Sequence, residues 1–200
     1  LLRYSLAHSD SKVDLSRLKL SDSGDVSSPD KDEHKAITEL AAISQKHRFL
    51  VALGGDNSIT YSVAKAVAAA GLITFDAHYD LRDGVSNGSP VRRLIESGLA
   101  GKNVVQIGIA DFSNSPQYAE RARELGITII HRSELRGASL EQVWKRAVEI
   151  AGSRIHVDFD MDICDRSVVP ACPAAAPGGI SADEIRRFAF LAGASKEVAS

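Results

Sequence analysis

The strongest constraint on the fold is a repeated alternation of short apolar runs, each stopping abruptly, with stretches of helical spacing. Phe49-Leu50-Val51-Ala52-Leu53 ends at Gly54-Gly55, and Leu72-Ile73-Thr74-Phe75 ends at Asp76. Val104–Ile109, Ile127–Ile130 and Ile155–Phe159 follow the same pattern, the last running into a series of acids. Runs this short, with little polar alternation, predict strands buried on both faces. Between them, Asp32–His47 carries Ala36, Ile37, Leu40, Ala41 and Ile43 on one helical stripe. Ser58–Ala70, Ser89–Gly98, Pro116–Leu125 and Leu140–Ala151 also read as helices, and Ser181-Ala182-Asp183-Glu184 has capping-box spacing for a last one. Five strands separated by helices predict a mainly parallel sheet covered on both faces. Residues 1–35, with the turn-rich Ser21–Asp30, are expected to be a poorly structured or partial N-terminal segment, and residues 36–200 the α/β domain.

Composition narrows the partners. Lys+Arg is 24 against Asp+Glu 26, a net charge of -2, which gives no electrostatic footprint for nucleic acid or an anionic membrane. No apolar run approaches the ~18 residues of a membrane span. The two cysteines, Cys164 and Cys172, cannot build a disulfide scaffold and are expected to be packed thiols in a cytoplasmic protein. Trp144 lies on an apolar helix stripe and is expected in the core, while His131 and His156 are expected to be structural.

In parallel α/β sheets, ligands bind outside the carboxyl ends of the strands, so the residues after each run carry the chemistry. Gly54-Gly55-Asp56-Asn57-Ser58 follows the first run, and Asp76-Ala77-His78-Tyr79-Asp80-Leu81-Arg82 the second. Asp158-Phe159-Asp160-Met161-Asp162 surrounds the end of the fifth. In extended chain, Asp76, His78 and Asp80 share one side, as do Asp158, Asp160 and Asp162. Two such carboxylate ladders with one imidazole ask for divalent cations such as Mn²⁺ or Mg²⁺. No paired Cys/His spacing suggests structural zinc.

These three motifs, in this order, resemble the ureohydrolase superfamily of arginase, agmatinase and formimidoylglutamase. Gly54–Ser58 is similar to its Gly-Gly-Asp-His-Ser motif, and Asp76–Asp80 to its Asp-Ala-His-x-Asp motif. Phe159–Asp165, followed by Pro170-Ala171 and Gly178-Gly179-Ile180-Ser181, is similar to the long third signature. The resemblance implies a three-layer α/β/α sandwich, arginase-like, with a dinuclear manganese site. It implies that Asp76 and Asp160 bridge two Mn²⁺, that Asp80 completes one shell, and that His78 and Asp162 hold the other metal. A bridging hydroxide then attacks the sp² carbon of an amidine or guanidine, with Asp80 taking the remaining proton. The register that places Asp165, Pro170, Gly178 and Gly179 without a gap makes Asp160 and Asp162 the ligands. Asp158 then stands where the family has Ser, as an acceptor behind a ligand.

Two departures bear on metal and substrate. Asn57 replaces a ligating histidine and is an uncertain ligand that weakens one site. Asn87-Gly88-Ser89 stands where agmatinase and arginase carry His-Gly. With Asp76–Arg82 it resembles the formimidoylglutamase branch, which implies Arg82, Asn87 and Ser89 as substrate-binding residues and Arg82 as the fork for a carboxylate. The implied reaction is hydrolysis of N-formimino-L-glutamate to L-glutamate and formamide, a step of histidine breakdown. The competing expectations are an agmatinase-type enzyme that releases urea, whose amine pocket is acidic, and a non-catalytic homologue acting as a binding subunit. The family also implies a homo-oligomer, trimer or hexamer, and a further strand with a Glu-bearing segment after the third signature. The chain opens at Leu1 and stops at Ser200, so the sandwich is expected to be incomplete at its C-terminal end.

Overall fold

A computed structural model describes residues 18–200 apart from Ser28 and Asp30, so residues 1–17 of the expected N-terminal segment lie outside the described residues. Residues 18–27 form no helix or strand. The first helix, α1 (Glu33–Ser44), starts where Asp32 accepts a hydrogen bond from the Lys35 amide, and α2 spans Ile59–Ala66. The sheet consists of β1 (Gly71–Phe75), β2 (Val104–Ile109), β3 (Thr128–His131) and β4 (Ile155–Phe159), all parallel, in the order β3-β2-β1-β4. The connections carry α3 (Pro90–Glu96), α4 (Pro116–Glu124), the single turn α5 (Arg132–Leu135) and α6 (Leu140–Ala151). The last helix, α7 (Ala182–Ala194), begins with the expected capping box between Ser181 and Glu184.

Both faces of the sheet are covered. Ile73, Phe75, Val105, Ile107, Ile155 and Val157 pack against Trp144 and Ala147 of α6 and Phe188 and Ala192 of α7. Phe75 stacks on Phe159 with ring centroids 4.6 Å apart, and Trp144 donates its indole N–H to Ser195 Oγ at 2.9 Å. Leu72, Val104 and Ile109 face the other way, onto Ala64 of α2, Val91 and Leu94 of α3, and Ala122 of α4. A buried side chain of this size contributes roughly 1.5–3 kcal/mol. The architecture is the expected three-layer α/β/α sandwich, with a parallel sheet of four strands.

One expected strand does not form. Phe49–Leu53 is extended chain outside the sheet, with Val51 69% and Leu53 71% exposed. Among the described residues its one hydrogen bond is Leu50 N–H to Ala199 O at 3.4 Å, while Leu50 and Ala52 pack beside Leu40 and Val63. Residues 197–200 take the β4 edge instead: Ile155 N–H bonds Glu197 O, Ala199 N–H bonds Ile155 O, and Val157 N–H bonds Ser200 O, each at 2.8 Å. An apolar run becomes a strand only where an edge offers it partners, and a cavity of about 530 Å³ lies between Phe49–Asn57 and β4.

The order β3-β2-β1-β4 reverses direction at β1, since β2 lies on one side of it and β4 on the other. Such a switch point opens a crevice at the carboxyl ends of the two strands that part there. Here those ends deliver Asp76 and Asp160. Gly108, with φ +96°, sits at an irregularity of β2, and a Cβ there would come within 2.3 Å of Ile163 Cδ1. The glycine therefore lets the turn after β4 pack down beside β2.

Candidate metal centre

Two turns of similar construction meet at the switch point. Asp76 continues the β1 pairing through its N–H to Ile107 O at 3.1 Å, and its Oδ1 then accepts the His78 N–H at 2.6 Å. Asp160 continues the β4 pairing through its N–H to Phe75 O at 2.9 Å, and its Oδ1 accepts the Asp162 N–H at 2.9 Å. In each, an aspartate folds the chain back by holding the amide two residues on. The turns are also joined to each other: Ala77 N–H donates to Asp162 Oδ1 at 3.0 Å, and His78 Nδ1 lies 2.8 Å from Asp162 Oδ2 and 3.5 Å from Asp76 Oδ1.

Asp76, His78 and Asp162 offer ligand atoms all within 4.8 Å of one another. Asp76 and Asp162 are buried, as is Asp80, which holds a left-handed φ of +54° without being glycine. Asn57 points its Nδ2 at Asp80 Oδ2 and, at 3.4 Å, at Asp76 Oδ2, while its Oδ1 accepts from Thr60 Oγ1 at 2.8 Å. Behind the turns, the register sets Thr74 between Gln106 and Asp158. Asp158 Oδ2 and Gln106 Oε1 are buried without a hydrogen-bond partner.

The electrostatics are those of crowded, buried acids. Burial, reinforced by the Asp162 charge, raises Asp76 against the opposing hydrogen bond from His78. Burial and the Asp76 charge push Asp80 well above the ordinary carboxyl range. The same two causes lift Asp158 to about 7, and burial with Asp76 and Asp162 lifts Asp160 to about 6. For Asp162 burial acts upward, but bonds from His78 and the Ala77 amide outweigh it and hold the group low. His78 is raised to about 10 by its bonds to Asp162 and then Asp76. Among the described residues no lysine or arginine pairs with any of these five carboxylates. Arg132, buried beside the second turn, gives Nη2 to the Asp162 and Ile163 carbonyls at 3.2 Å each. Several buried carboxylates with one imidazole and an unpartnered Asp158 oxygen form a hard-donor set that fits divalent cations.

The remaining expected site residues lie on the loop between Asp80 and α3. Arg82 and Asn87 are exposed. Arg82 donates its amide N–H to Gly88 O at 3.0 Å, and its aliphatic stem lies against Gly88, where a Cβ would come within 2.7 Å of Cδ. Arg82 makes no ion pair among the described residues, because Asp83 pairs with Arg121 at 2.8 Å instead. Ser89 lies inside the base of the loop, fully buried, its hydroxyl accepting from Ser86 N–H and donating to Ser86 O. His156 is buried against Ser200 Oγ at 2.8 Å, and burial lowers it to about 4. Cys164 is buried, Cys172 partly so, and both are free thiols. Arg132 on α5, Thr60 on α2 and Asn114 on the loop before α4 escaped the sequence reading, since a lone polar residue outside a repeated pattern has no motif to mark it.

The chain matches the Arginase family over residues 2–199. Formimidoylglutamase of Halalkalibacterium halodurans is 36% identical over 204 aligned residues, covering 90% of this chain and 62% of that protein. The structure of formimidoylglutamase from Bacillus subtilis superposes with a TM-score of 0.79 at 33% identity, covering 88% of this chain and 59% of that one. Formiminoglutamase of Trypanosoma cruzi with Mn²⁺ superposes at 0.87 and 27% identity, covering 97% and 70%. The chain thus spans about three fifths of the length of the two bacterial relatives. No described helix is long and apolar enough to cross a membrane. With its three motifs gathered at the switch point of an α/β/α sandwich, the chain belongs to the Arginase family.

Proposed function

We propose that this chain carries the metal-binding half of a manganese-dependent hydrolase that cleaves a C–N bond of a linear amidine, with N-formimino-L-glutamate as substrate. The carrying observation is the convergence of Asp76, Asp80, Asp158, Asp160 and Asp162 with His78 at the switch point, none of the acids paired with lysine or arginine. In this reading Asp76, His78 and Asp162, whose ligand atoms already lie together, would hold the Mn²⁺ with Asp80, Asp160 and Asn57. When bound, such a pair supplies a nucleophilic water at neutral pH and Lewis-acid polarisation of the substrate.

The chain's own residues do the rest. Asp80, held with its carboxylate against Asn57, accepts the proton given up by the nucleophile and delivers it to the departing nitrogen. Arg82, exposed and without an ion pair among the described residues, binds the substrate carboxylate in fork geometry. Asn87 supplies an amide at the same rim, and Ser89 braces the loop that carries both. A cationic guanidino substrate gains nothing from a free guanidinium there, which favours an acidic substrate over agmatine.

The test is elemental mass spectrometry of the intact protein after Mn²⁺ loading, followed by assays with formiminoglutamate and agmatine. Close to two Mn²⁺ per chain with release of glutamate and formamide supports the reading. Urea from agmatine moves it to the agmatinase-type alternative. Retention of no metal, with no turnover, refutes it in favour of a non-catalytic homologue.

A further inference from the structure

The loop that leaves β2 is built to reach the first metal-bearing turn. After Ala110 the chain runs through Asp111-Phe112-Ser113-Asn114 to Ser115, the cap of α4. Phe112 at its tip has φ +61° and is wholly exposed, so the loop turns its apolar side chain out and its amide side chain in. Asn114 Oδ1 accepts the Tyr79 N–H at 3.3 Å, while Nδ2 donates to Ala77 O at 2.8 Å and to Ala110 O at 3.2 Å. Ala77 and Tyr79 flank His78, so a single side chain holds the backbone on both sides of it.

This grip has a reason in the geometry of the turn. The His78 side chain is 28% exposed and tied only to the acids, so packing alone does not set its position. Two residues on, Asp80 occupies the left-handed region, a conformation unfavourable for a non-glycine residue that persists only when its surroundings enforce it. An asparagine amide offers an acceptor and two donors in one plane, the set the turn uses. Aspartate keeps the acceptor and loses both donors; leucine has neither.

We propose that Asn114 is a positioning residue for the metal centre: through the backbone on either side of His78, it fixes the imidazole in line with Asp76 and Asp162. The inference rests on the metal-binding reading above and deepens it. It is tested by calorimetric titration of the intact, metal-stripped chain with Mn²⁺, alongside Mn²⁺ electron paramagnetic resonance and thermal melts without metal. The variants are Asn114→Leu, Asn114→Asp and, as a control, Asn103→Ala, which removes a loop anchor to Ala70 O at the opposite end of the sheet. Loss of an outer partner of a ligand weakens metal binding about 10–100-fold. Both Asn114 variants are expected to fall in that range and to change the resonance spectrum, while Asn103→Ala leaves the affinity within about twofold of wild type. Asn114→Asp keeps the Tyr79 bond and serves where the leucine variant does not fold. Melts that fall while Mn²⁺ affinity and spectrum stay unchanged overturn the inference alone. A wild-type chain that binds no Mn²⁺ overturns it together with the reading it rests on.

Discussion

Stripped of metal, the protein is expected to melt higher at about pH 5 than at about pH 8, against the usual direction for a protein rich in paired carboxylates. Burial and the Asp76 charge lift the Asp158 carboxyl to about 7, whereas in the unfolded chain it returns to roughly 3.9. Between those values the folded state holds a proton that the unfolded state has released, so stability falls as pH rises through about 7. Asp160, lifted to about 6, acts in the same sense. His78 extends the effect upward: raised to about 10 by its bonds to Asp162 and Asp76, it contributes stability that is complete below about 6.5 and lost toward 10. Asp162, held low, opposes the trend only below about 4, while His156, lowered by burial to about 4, opposes it between about 4 and 6.5 and offsets part of the gain at pH 5. Between about pH 5 and about 7, the part of the Asp158 shift that this comparison samples corresponds to about 3 kcal/mol, and Asp160, partly open to solvent, adds less. For a chain of 200 residues that is a fall of about 10 °C in Tm. Mn²⁺ reverses the ordering, because its ligands bind as carboxylates and neutral imidazole. The assay is scanning calorimetry across this range with chelator and with Mn²⁺; Asp158→Asn should flatten the metal-free slope. A metal-free Tm that rises steadily from about pH 5 to about pH 8 refutes the electrostatic argument.

Asp160→Ala is expected to abolish metal retention, read as manganese per chain; unchanged content would make Asp158 the ligand of that turn. Asn57→His exchanges a weak amide for an imidazole and is expected to tighten one Mn²⁺ about tenfold in a titration, an expectation based on the ligand preferences of transition metals; no change would remove position 57 from the centre. Gly108→Ala forces a Cβ into Ile163 Cδ1, at 2.3 Å, and a strained backbone at φ +96°. It should cost about 2–4 kcal/mol in a denaturant melt and loosen metal binding, since Ile163 adjoins Asp162. A neutral melt would mean the strand relaxes without cost.

The layered architecture was legible because most connections announced themselves: short, mainly apolar runs for the strands, and Ser or Asp before every helix but α5, whose cap is His131. The acid-bearing turns were legible because Asp76/His78/Asp80 and Asp158/Asp160/Asp162 stand at the ends of two apolar runs. Phe49–Leu53 misled because apolar composition records what a segment is suited to, while strand formation depends on an edge being present to pair with it. The supports were illegible for a related reason. Arg132 acts on backbone carbonyls and Asn114 on backbone flanking a histidine, and such contacts leave no pattern at either end of the pairing. Ser89 was read from its position in a loop motif, and only burial shows that its hydroxyl serves Ser86.

The bond from Ala77 to Asp162 joins residues 85 apart in the chain. An ion shared between these two turns is therefore a reversible cross-link closing a loop that contains β2, β3 and the helices between β1 and β4. Closing a loop of that length is entropically unfavourable in an unfolded chain, so the ligands gather only once the sheet has assembled. Metal concentration thus becomes a folding variable by mass action. If the chain binds manganese as proposed, withholding the metal lowers the folded population of the protein as well as its occupancy.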